Sequence, residues 1–253
     1  MTAVRRRILS ASLIVGLFVL WEVICDGLHV SDLVLPPPSA IFETFWERYP
    51  AIWPHALQTL CTTLLGFFLG VVAGVLLGVL LGVSRLAYDV ANPLLVGFAS
   101  IPKVAVVPIL VLWFGSGTVP AVLTAMITCV FPIVVNVATG LATTEPELED
   151  FMHTLGASKL DTLLNVGLPR TMPYFFASLK VAVTLAFVGA VISETVASNL
   201  GIGNLMMIAS SNFDVPLVFA GLLILAVLGV LLYGLFSLIE LRVTGWARRT
   251  TYD

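Results

Sequence analysis

The sequence is poor in charged residues. Only 11% of its 253 residues are Asp, Glu, Lys or Arg, whereas 59% are apolar and the mean hydropathy is +1.06. Ordinary soluble domains carry about 25% charged residues. A protein core of this size needs far less apolar surface than this chain carries, so most of the chain is predicted to contact lipid. The composition therefore excludes an ordinary soluble domain.

The sequence also has few groups that could carry chemistry. Its three cysteines are widely spaced in or beside apolar runs, which indicates neither a disulfide framework nor a metal site. Its three histidines lack ligand spacing, no nucleophile–base pair stands out, and nothing suggests nucleic-acid binding. A phosphate-binding G-x-x-x-x-G-K-[ST] loop is absent, so any ATP and Mg²⁺ would be bound by another polypeptide. We therefore expect no enzymatic activity and no cofactor in this chain.

Six apolar runs have the length needed to cross a bilayer, about 20 residues. The first run follows three arginines, lacks a small-x-small cleavage site, and is predicted to be an uncleaved anchor. Pro102 and Pro108 predict a break in the third run. The fold class is therefore an all-α membrane protein with six transmembrane helices. The runs cover residues 8–25, 57–83, 93–113, 119–142, 172–196 and 216–241.

A polar, aromatic-rich connection at 26–55 separates the first two runs. Three prolines at 36–38 argue against a membrane helix there, and a short amphipathic helix at 40–49 is predicted to lie at the membrane interface. An ordinary loop helix packed on the spans is the alternative. We divide the chain into an N-terminal anchor with an external amphipathic segment (1–55), a transmembrane core (56–241) and a cytoplasmic basic tail (242–253).

The second run carries a stripe of glycines that recur every four residues. Small residues at this spacing allow two membrane helices to approach closely. Two uses are open, a contact between two copies of the chain and the more frequent packing of helices within one subunit. The stripe consists of Gly66, Gly70, Gly74, Gly78 and Gly82.

Lysine and arginine are distributed unevenly between the connections. With the N-terminus inside, nine basic residues fall in cytoplasmic segments, and Arg48 alone falls outside. The remaining two, Lys103 and Lys180, lie within the runs, and Lys180 is expected to extend its amine toward the headgroups. The positive-inside rule therefore predicts that both termini are cytoplasmic, and that the connection at 143–170 is cytoplasmic as well.

The central connection (143–170) is the longest polar interruption in the second half of the chain and predicts two short helices with a bend. Thr144 and Glu147 can cap the first helix, Gly156 can end it, and Ser158 with Asp161 can cap the second, which is expected to end at 167–169. An apolar face with acidic flanks would suit a partner protein. That face consists of Leu148, Phe151, Met152 and Leu155, and the acidic residues are Glu145, Glu147, Glu149 and Asp150.

The spacing in the central connection is similar to the cytoplasmic signature of permeases of binding-protein-dependent ATP-binding-cassette (ABC) importers. That signature reads E-A-A, three residues, G, nine residues, I, one residue, L-P. The matching residues are Asp150, Phe151 and Met152 at E-A-A, followed by Gly156, Val166, Leu168 and Pro169. The aspartate and the two large apolar residues depart from E-A-A. The T-L-G-A-S string at 154–158, which includes Ala157, resembles the nitrate/sulfonate/taurine (bicarbonate) branch.

Other stretches resemble the same branch, so that the resemblance covers most of residues 35–205. They are L-P-P-P-S at 35–39, the third-run segment at 101–115, Ser193-Glu194 and Gly201-Ile202-Gly203. The resemblance implies a type I importer fold in the bacterial inner membrane, in which two permease subunits, expected to be identical, stand on two ATPases. A periplasmic or lipid-anchored binding protein would deliver the solute. The ATPase-coupling residues would be Leu148, Asp150, Phe151, Met152, Leu155, Gly156, Ala157, Leu168 and Pro169.

Polar residues inside the runs are candidates for the translocation path. Lys103, next to Pro102, is either a cation that favours anionic solutes or a lysine that reaches the headgroups or packs structurally. Asn136 either lies on the path or forms a hydrogen bond between helices. Glu194 either gates the path, or pairs with a cation across the subunit interface, or caps local backbone groups.

The sequence therefore predicts a permease subunit that works by alternating access, driven by partner ATPases, on a small anionic or small organic solute. The alternative is a secondary transporter or channel driven by an ion gradient. That class favours membrane-embedded carboxylate pairs or inverted repeats. Glu194 is the one candidate carboxylate, and we find no internal repeat.

The charge asymmetry generates a prediction about topology. Single cysteines at Ser31, Ser158 and Ser211, in a chain without other cysteines, should react differently with an impermeant maleimide added to intact cells. Positions 31 and 211 are expected to be labelled. Position 158 is not, because the positive-inside rule places position 158 alone of the three in the cytoplasm. Labelling of position 158 from outside would contradict the six-span topology.

Overall fold

The computed structural model describes residues 3–143 and 146–244, and all regular secondary structure in these ranges is helical. The α-helices are α1 (Ala3–Gly27), α2 (Pro38–Gly82), α3 (Arg85–Ser100), α4 (Val107–Phe114), α5 (Thr118–Ala142), α6 (Pro146–Thr154), α7 (Lys159–Thr162), α8 (Leu168–Ala197), α9 (Ile202–Ser211) and α10 (Val215–Val243). A 3₁₀ turn, Lys103–Val106, precedes α4, and a π-helical turn, Leu163–Gly167, joins α7 to α8. The predicted cap at Thr144, the charge of Glu145 and most of the basic tail lie outside the described residues.

The apolar helices account for the six predicted runs. Five helical stretches in the described residues are long and apolar enough to cross a membrane, and a bent pair supplies a sixth if it is counted as one span. The pair is Leu86–Ser100 with Lys103–Phe114, and the two parts meet at 79°. The bend follows from Pro102, because proline disfavours helical backbone in the residue before it, and Ile101 is accordingly extended (φ −70°, ψ 125°).

The predicted extent of the short amphipathic helix is wrong. The short helix expected at 40–49 is the beginning of α2, a single helix of 45 residues that continues through Pro50 and Pro54. Each proline removes one backbone hydrogen bond, but Ile52 and Ala56 between and after them are buried in a cluster with α9 and α10, and this packing holds the helix together. The division between anchor and core at 55/56 lies within α2 and stays a prediction. The connection between the second and third predicted runs is helical, because Ser84 caps α3 by accepting a hydrogen bond from the Ala87 N–H.

The packed core is formed by α2, α5 and α8. The glycine stripe of α2 lies against α5: a Cβ added to Gly70 would be 2.2 Å from the Cys129 Sγ, and one added to Gly78 would be 2.7 Å from the Val137 Cβ. On a neighbouring face of α5, a Cβ on Gly189 of α8 would be 2.4 Å from the Thr128 Oγ1. Of the two uses proposed for the stripe, packing within one subunit is therefore the one observed.

Ion pairs and ring contacts attach the remaining spans. Lys180 of α8 pairs with the buried Glu240 of α10 at 2.5 Å. A carboxylate on the neighbouring helix lowers the cost of a charge within a transmembrane span, and the extension of Lys180 toward the headgroups stays a prediction. Arg48 of α2 pairs with Asp214, which precedes α10.

Hydrogen bonds from Ser39 to Glu22 attach the first helix, α1, to the start of α2. The two carboxylate oxygens of Glu22 accept hydrogen bonds from the N–H and the hydroxyl of Ser39, at 3.0 and 2.6 Å. Ser39 lies in the first turn of α2, where a negative charge is favourable. The Trp21 and Phe219 rings, 5.9 Å apart between centroids, join α1 to α10.

Candidate functional site

The bend in the central connection has the geometry that the sequence predicts. Gly156 has φ +77°, in the left-handed region. The Ala157 N–H donates to the Met152 carbonyl at 3.0 Å, which is the long hydrogen bond of a Schellman motif at the end of α6. Ser158 and Asp161 then cap α7 reciprocally, because each side chain accepts a hydrogen bond from the other residue's N–H, at 3.2 and 2.9 Å. The two short helices therefore meet at a fixed angle.

The apolar face of α6 divides into an outer and an inner part. Phe151 and Leu155 are 59% and 67% exposed, whereas Leu148 and Met152 are half-buried. In the next turns, Leu160 and Leu164 are also more than half exposed. The exposed residues form the outer apolar surface, which consists of Phe151, Leu155, Leu160 and Leu164. Leu160 and Leu164 were not among the coupling residues that the resemblance implies.

The second short helix does not end at residues 167–169, as the sequence predicts, but continues into the fifth span. The π-helical turn Leu163–Gly167 leads directly into α8, and Leu168 and Pro169 occupy its first turn. Pro169 has no N–H to donate, and the π-helical turn before it, in which the Leu168 N–H donates to the Leu163 carbonyl, accommodates the interruption. The apolar helix is therefore continuous over Leu160–Ala197, 38 residues, or about 57 Å at roughly 1.5 Å per residue.

The candidate path residues are not brought together in one place. Pro102 lies at the bend between α3 and α4, and the Lys103 amine next to it donates to the Ala99 carbonyl and lies 6.0 Å from the centroid of the Phe131 ring. The Asn136 amide donates to the Pro132 carbonyl of its own helix at 2.8 Å. The fourth residue, Glu194, lies near the opposite end of α8 from the central connection. Their position on a translocation path remains a prediction.

Glu194 is buried among three helices of one subunit, with 1% of its surface exposed. Its carboxylate accepts hydrogen bonds from the hydroxyls of Thr59 and Thr62 of α2, at 2.7 and 3.0 Å, and from the Gly203 N–H at the start of α9, at 3.3 Å. The sequence reasoning missed both threonines. The signal available was the polar run T-L-C-T-T at 59–63, where Thr59, Thr62 and Thr63 interrupt an apolar stretch.

A metal centre finds no support in the part of the chain that the structure describes. No group of three or more His, Cys, Asp or Glu side chains within residues 3–143 and 146–244 is placed to hold a metal ion. The arrangement instead offers an exposed apolar surface at one end of α8 and a buried polar cluster at the other. The helical stretch Leu160–Ala197 joins Leu160 and Leu164 of the apolar surface to Glu194 of the polar cluster.

The chain belongs to the family described as "Binding-protein-dependent transport system inner membrane component", whose model matches residues 70–245. It is therefore a transport permease of the ABC importer class, as the spacing in the central connection predicts. This membership decides against the alternative of a transporter driven by an ion gradient.

Relatives at 29–37% identity support the same assignment. The riboflavin transport system permease of Chloroflexus aurantiacus is 37% identical over 91% of this chain and 87% of that protein. The formylaminopyrimidine transport permease of Halalkalibacterium halodurans is 31% identical over 92% and 93%. The putative aliphatic sulfonates transport permease of Bacillus subtilis is 29% identical over 92% and 85%, and taurine and nitrate permeases match as well. The predicted nitrate/sulfonate/taurine branch is thus confirmed.

A solved structure confirms the fold. An inward-facing conformation of the MetNI methionine ABC transporter matches with a TM-score of 0.67 at 21% identity, over 77% of this chain and 98% of that chain. A likeness at this identity concerns the arrangement of the helices alone. The all-α, type I importer permease fold predicted from the sequence is therefore the fold observed.

The geometry of Gly156 generates a prediction that separates backbone strain from crowding. A Cβ at Gly156 would have no atom within 4 Å, so a substitution there meets only the cost of a positive φ. Gly156→Val is expected to destabilise the bend by about 1–2 kcal/mol and to lower solute uptake per ATP hydrolysed in proteoliposomes. Gly156→Asn should retain most of the coupling, because asparagine adopts the left-handed region more readily. Equal coupling in both variants would show that the bend is not needed.

Proposed function

We propose that this chain pairs with a second copy to form the solute path of an ABC importer. Two ATPase subunits bind at the central connection, and an external binding protein delivers the solute. ATP and Mg²⁺ bind to the ATPases, since this sequence has no phosphate-binding loop. The single observation that carries the proposal is the outer apolar surface on a segment that also carries acidic residues.

The side chains of the outer apolar surface would be more stable if another molecule buried them. Leaving a large apolar side chain exposed forfeits about 1.5–3 kcal/mol relative to full burial, and four such side chains, Phe151, Leu155, Leu160 and Leu164, are more than half exposed. Lipid would cover them only by bringing Glu147 and Asp150, both exposed on α6, against anionic headgroups, which is unfavourable. A groove on a partner protein with basic residues at its rim satisfies both requirements.

The proposed orientation places both termini and the central connection in the cytoplasm. The distribution of lysine and arginine supports it, with Arg48 as the sole basic residue in the external segments. In the structure Arg48 pairs with Asp214 next to the start of α10. The pairing joins two connections that the orientation places on the same, external side.

The proposed solute is a small organic molecule, with a nitrogen heterocycle favoured. Riboflavin and formylaminopyrimidine, named for the relatives at 37% and 31% identity, are both nitrogen heterocycles. A small anion is the second candidate. It is favoured by the sulfonate, taurine and nitrate permeases among the relatives, and by Lys103, a cation beside the break in a transmembrane helix.

The docking proposal predicts that Phe151→Asp releases the ATPase from the membrane subunit. The substitution puts a charge in the centre of the outer apolar surface, where desolvating it against a partner is costly. The measurement is co-purification of the ATPase, together with solute-stimulated ATP hydrolysis in proteoliposomes. Thr154→Asp is the matched control, because it adds the same charge at an exposed polar position of α6. Normal ATPase binding and transport by Phe151→Asp would show that this segment is not the coupling element.

The two candidate solutes predict different effects of substitutions at Lys103. If the solute is anionic, Lys103→Met should impair uptake more than Lys103→Arg, with expression and assembly unchanged, because a cation near a low-dielectric path attracts anions. If the solute is a neutral heterocycle, both variants should transport at a near-native rate. The measurement is uptake of labelled riboflavin, a pyrimidine, a sulfonate and nitrate by the reconstituted complex. Near-native uptake by both variants would assign Lys103 a packing role beside Phe131.

A further inference from the structure

The start of α9 is capped by side chains from two other helices. The Ile202 N–H donates to the Thr59 Oγ1 at 2.8 Å, and the Gly203 N–H donates to the Glu194 Oε2 at 3.3 Å. The Nδ1 of His55 lies 3.2 Å from the Gly201 N and 2.9 Å from the Gly201 carbonyl. The first N–H groups of a helix have no partner within the helix. Here α2 and α8 supply those partners from outside α9.

Glu194 links this cap to the helix core. Its Oε1 accepts from Thr62 and its Oε2 accepts from both Thr59 and Gly203, so each carboxylate oxygen has a donor. A buried carboxylate without such donors would be very unfavourable. Thr59 has a double role, since its hydroxyl donates to Glu194 and accepts from Ile202. The cluster Thr59, Thr62, Glu194 and Gly203 is therefore one connected set of hydrogen bonds.

The two glycines of the G-I-G string allow this close approach. A Cβ on Gly201, which has φ +116°, would be 2.2 Å from the Glu194 Cδ. A Cβ on Gly203 would be 2.5 Å from the Val191 carbonyl oxygen and 2.9 Å from the Glu194 Cβ. Any other residue at either position would push α9 away from the carboxylate. Glu194 and the G-I-G string thus form a single structural unit.

The other end of α9 is also attached to α2. Asp214, three residues after α9 ends, pairs with Arg48 of α2 and caps α10 by accepting from the Leu217 N–H at 3.4 Å. Glu194 itself lies on α8, the helix that is continuous from Leu160 in the central connection. A displacement of the cytoplasmic end of α8 is therefore passed to the cap without an intervening loop.

We infer that Glu194 is a positioning residue that fixes α9 to α2 and α8, so that the external part of the permease moves together with the central connection. The carboxylate acts through Thr59, Thr62 and the backbone of α9, all within one subunit. The inference rests on the proposed function in one respect, namely that movement begins at the central connection. The attachment of α9 by Glu194 stands independently of that.

The attachment is tested by the accessibility of a buried position at the start of α9. In a chain whose native cysteines are replaced by alanine, Ile202→Cys reports on this position, which is 0% exposed. In nanodiscs both membrane faces are open to a water-soluble maleimide. Glu194→Leu is expected to raise the labelling rate about five- to thirtyfold, the effect of losing one or two buried hydrogen bonds. Glu194→Gln should restore slow labelling, because its amide oxygen still accepts from Gly203.

Ser193→Ala is the matched control. Ser193 precedes Glu194 on α8, is also buried, and its hydroxyl has no hydrogen-bond partner among the described residues. Its substitution should leave the labelling rate unchanged. If Glu194→Leu does not fold, Thr59→Val removes the acceptor for Ile202 with little change in shape and should raise the labelling rate as well. An unchanged rate in Glu194→Leu, or in Thr59→Val in its place, would overturn the inference.

A second measurement separates this inference from the proposed function. In the reconstituted complex, Glu194→Leu should retain ATPase binding and basal hydrolysis but lose most of the stimulation by solute, and Glu194→Gln should recover it. Loss of ATPase binding by Glu194→Leu would overturn the positioning role, because the cap is remote from the central connection. If instead Phe151→Asp binds the ATPase normally, the proposed docking of the ATPase at this segment is wrong. The labelling experiment would still test whether Glu194 attaches α9.

Discussion

Close approach of helix backbones is the constraint on which the rest of this structure depends. In lipid no hydrophobic effect drives helices together, so association comes from dispersion contacts and hydrogen bonds, and these require small residues at the interface. The stripe from Gly66 to Gly82 meets one face of α5, and Gly189 meets a neighbouring face. Because α2 and α8 also contact each other, the three helices form a packed body to which α9 and α10 attach.

Polar side chains in the spans decide how those outer helices attach. An ionisable group in the membrane is expensive unless it finds a partner, and the structure provides one for Lys180 and for Glu194. Lys180 pairs with Glu240, which joins α10 to α8. Glu194 takes three hydrogen bonds from α2 and α9. Ionisable groups that would destabilise the fold without partners thus form specific contacts between helices.

Helix α8 links the packed helices to the central connection, the segment proposed to bind the ATPases. The π-helical turn Leu163–Gly167 keeps the chain helical from α7 into α8, whereas a loop at this place would absorb movement. Wide turns of this kind are often found at functional sites. Leu160 and Leu164 of the outer apolar surface and Glu194 of the α9 cap then lie towards opposite ends of one helical stretch.

The amino-acid sequence by itself determined the class of protein, the apolar spans, the bend at Pro102 and the turn at Gly156, because each depends on local residue chemistry and on the length of a bilayer. It did not determine that α2 continues through Pro50 and Pro54, or that the second short helix runs into α8, since packing against neighbouring helices outweighs the local effect of a proline. Nor did it determine the partners of Lys180 and Glu194. Those partners are distant in the chain, Thr59 lying 135 residues from Glu194, and only the tertiary structure, by placing α2, α8 and α10 side by side, decided which polar groups meet.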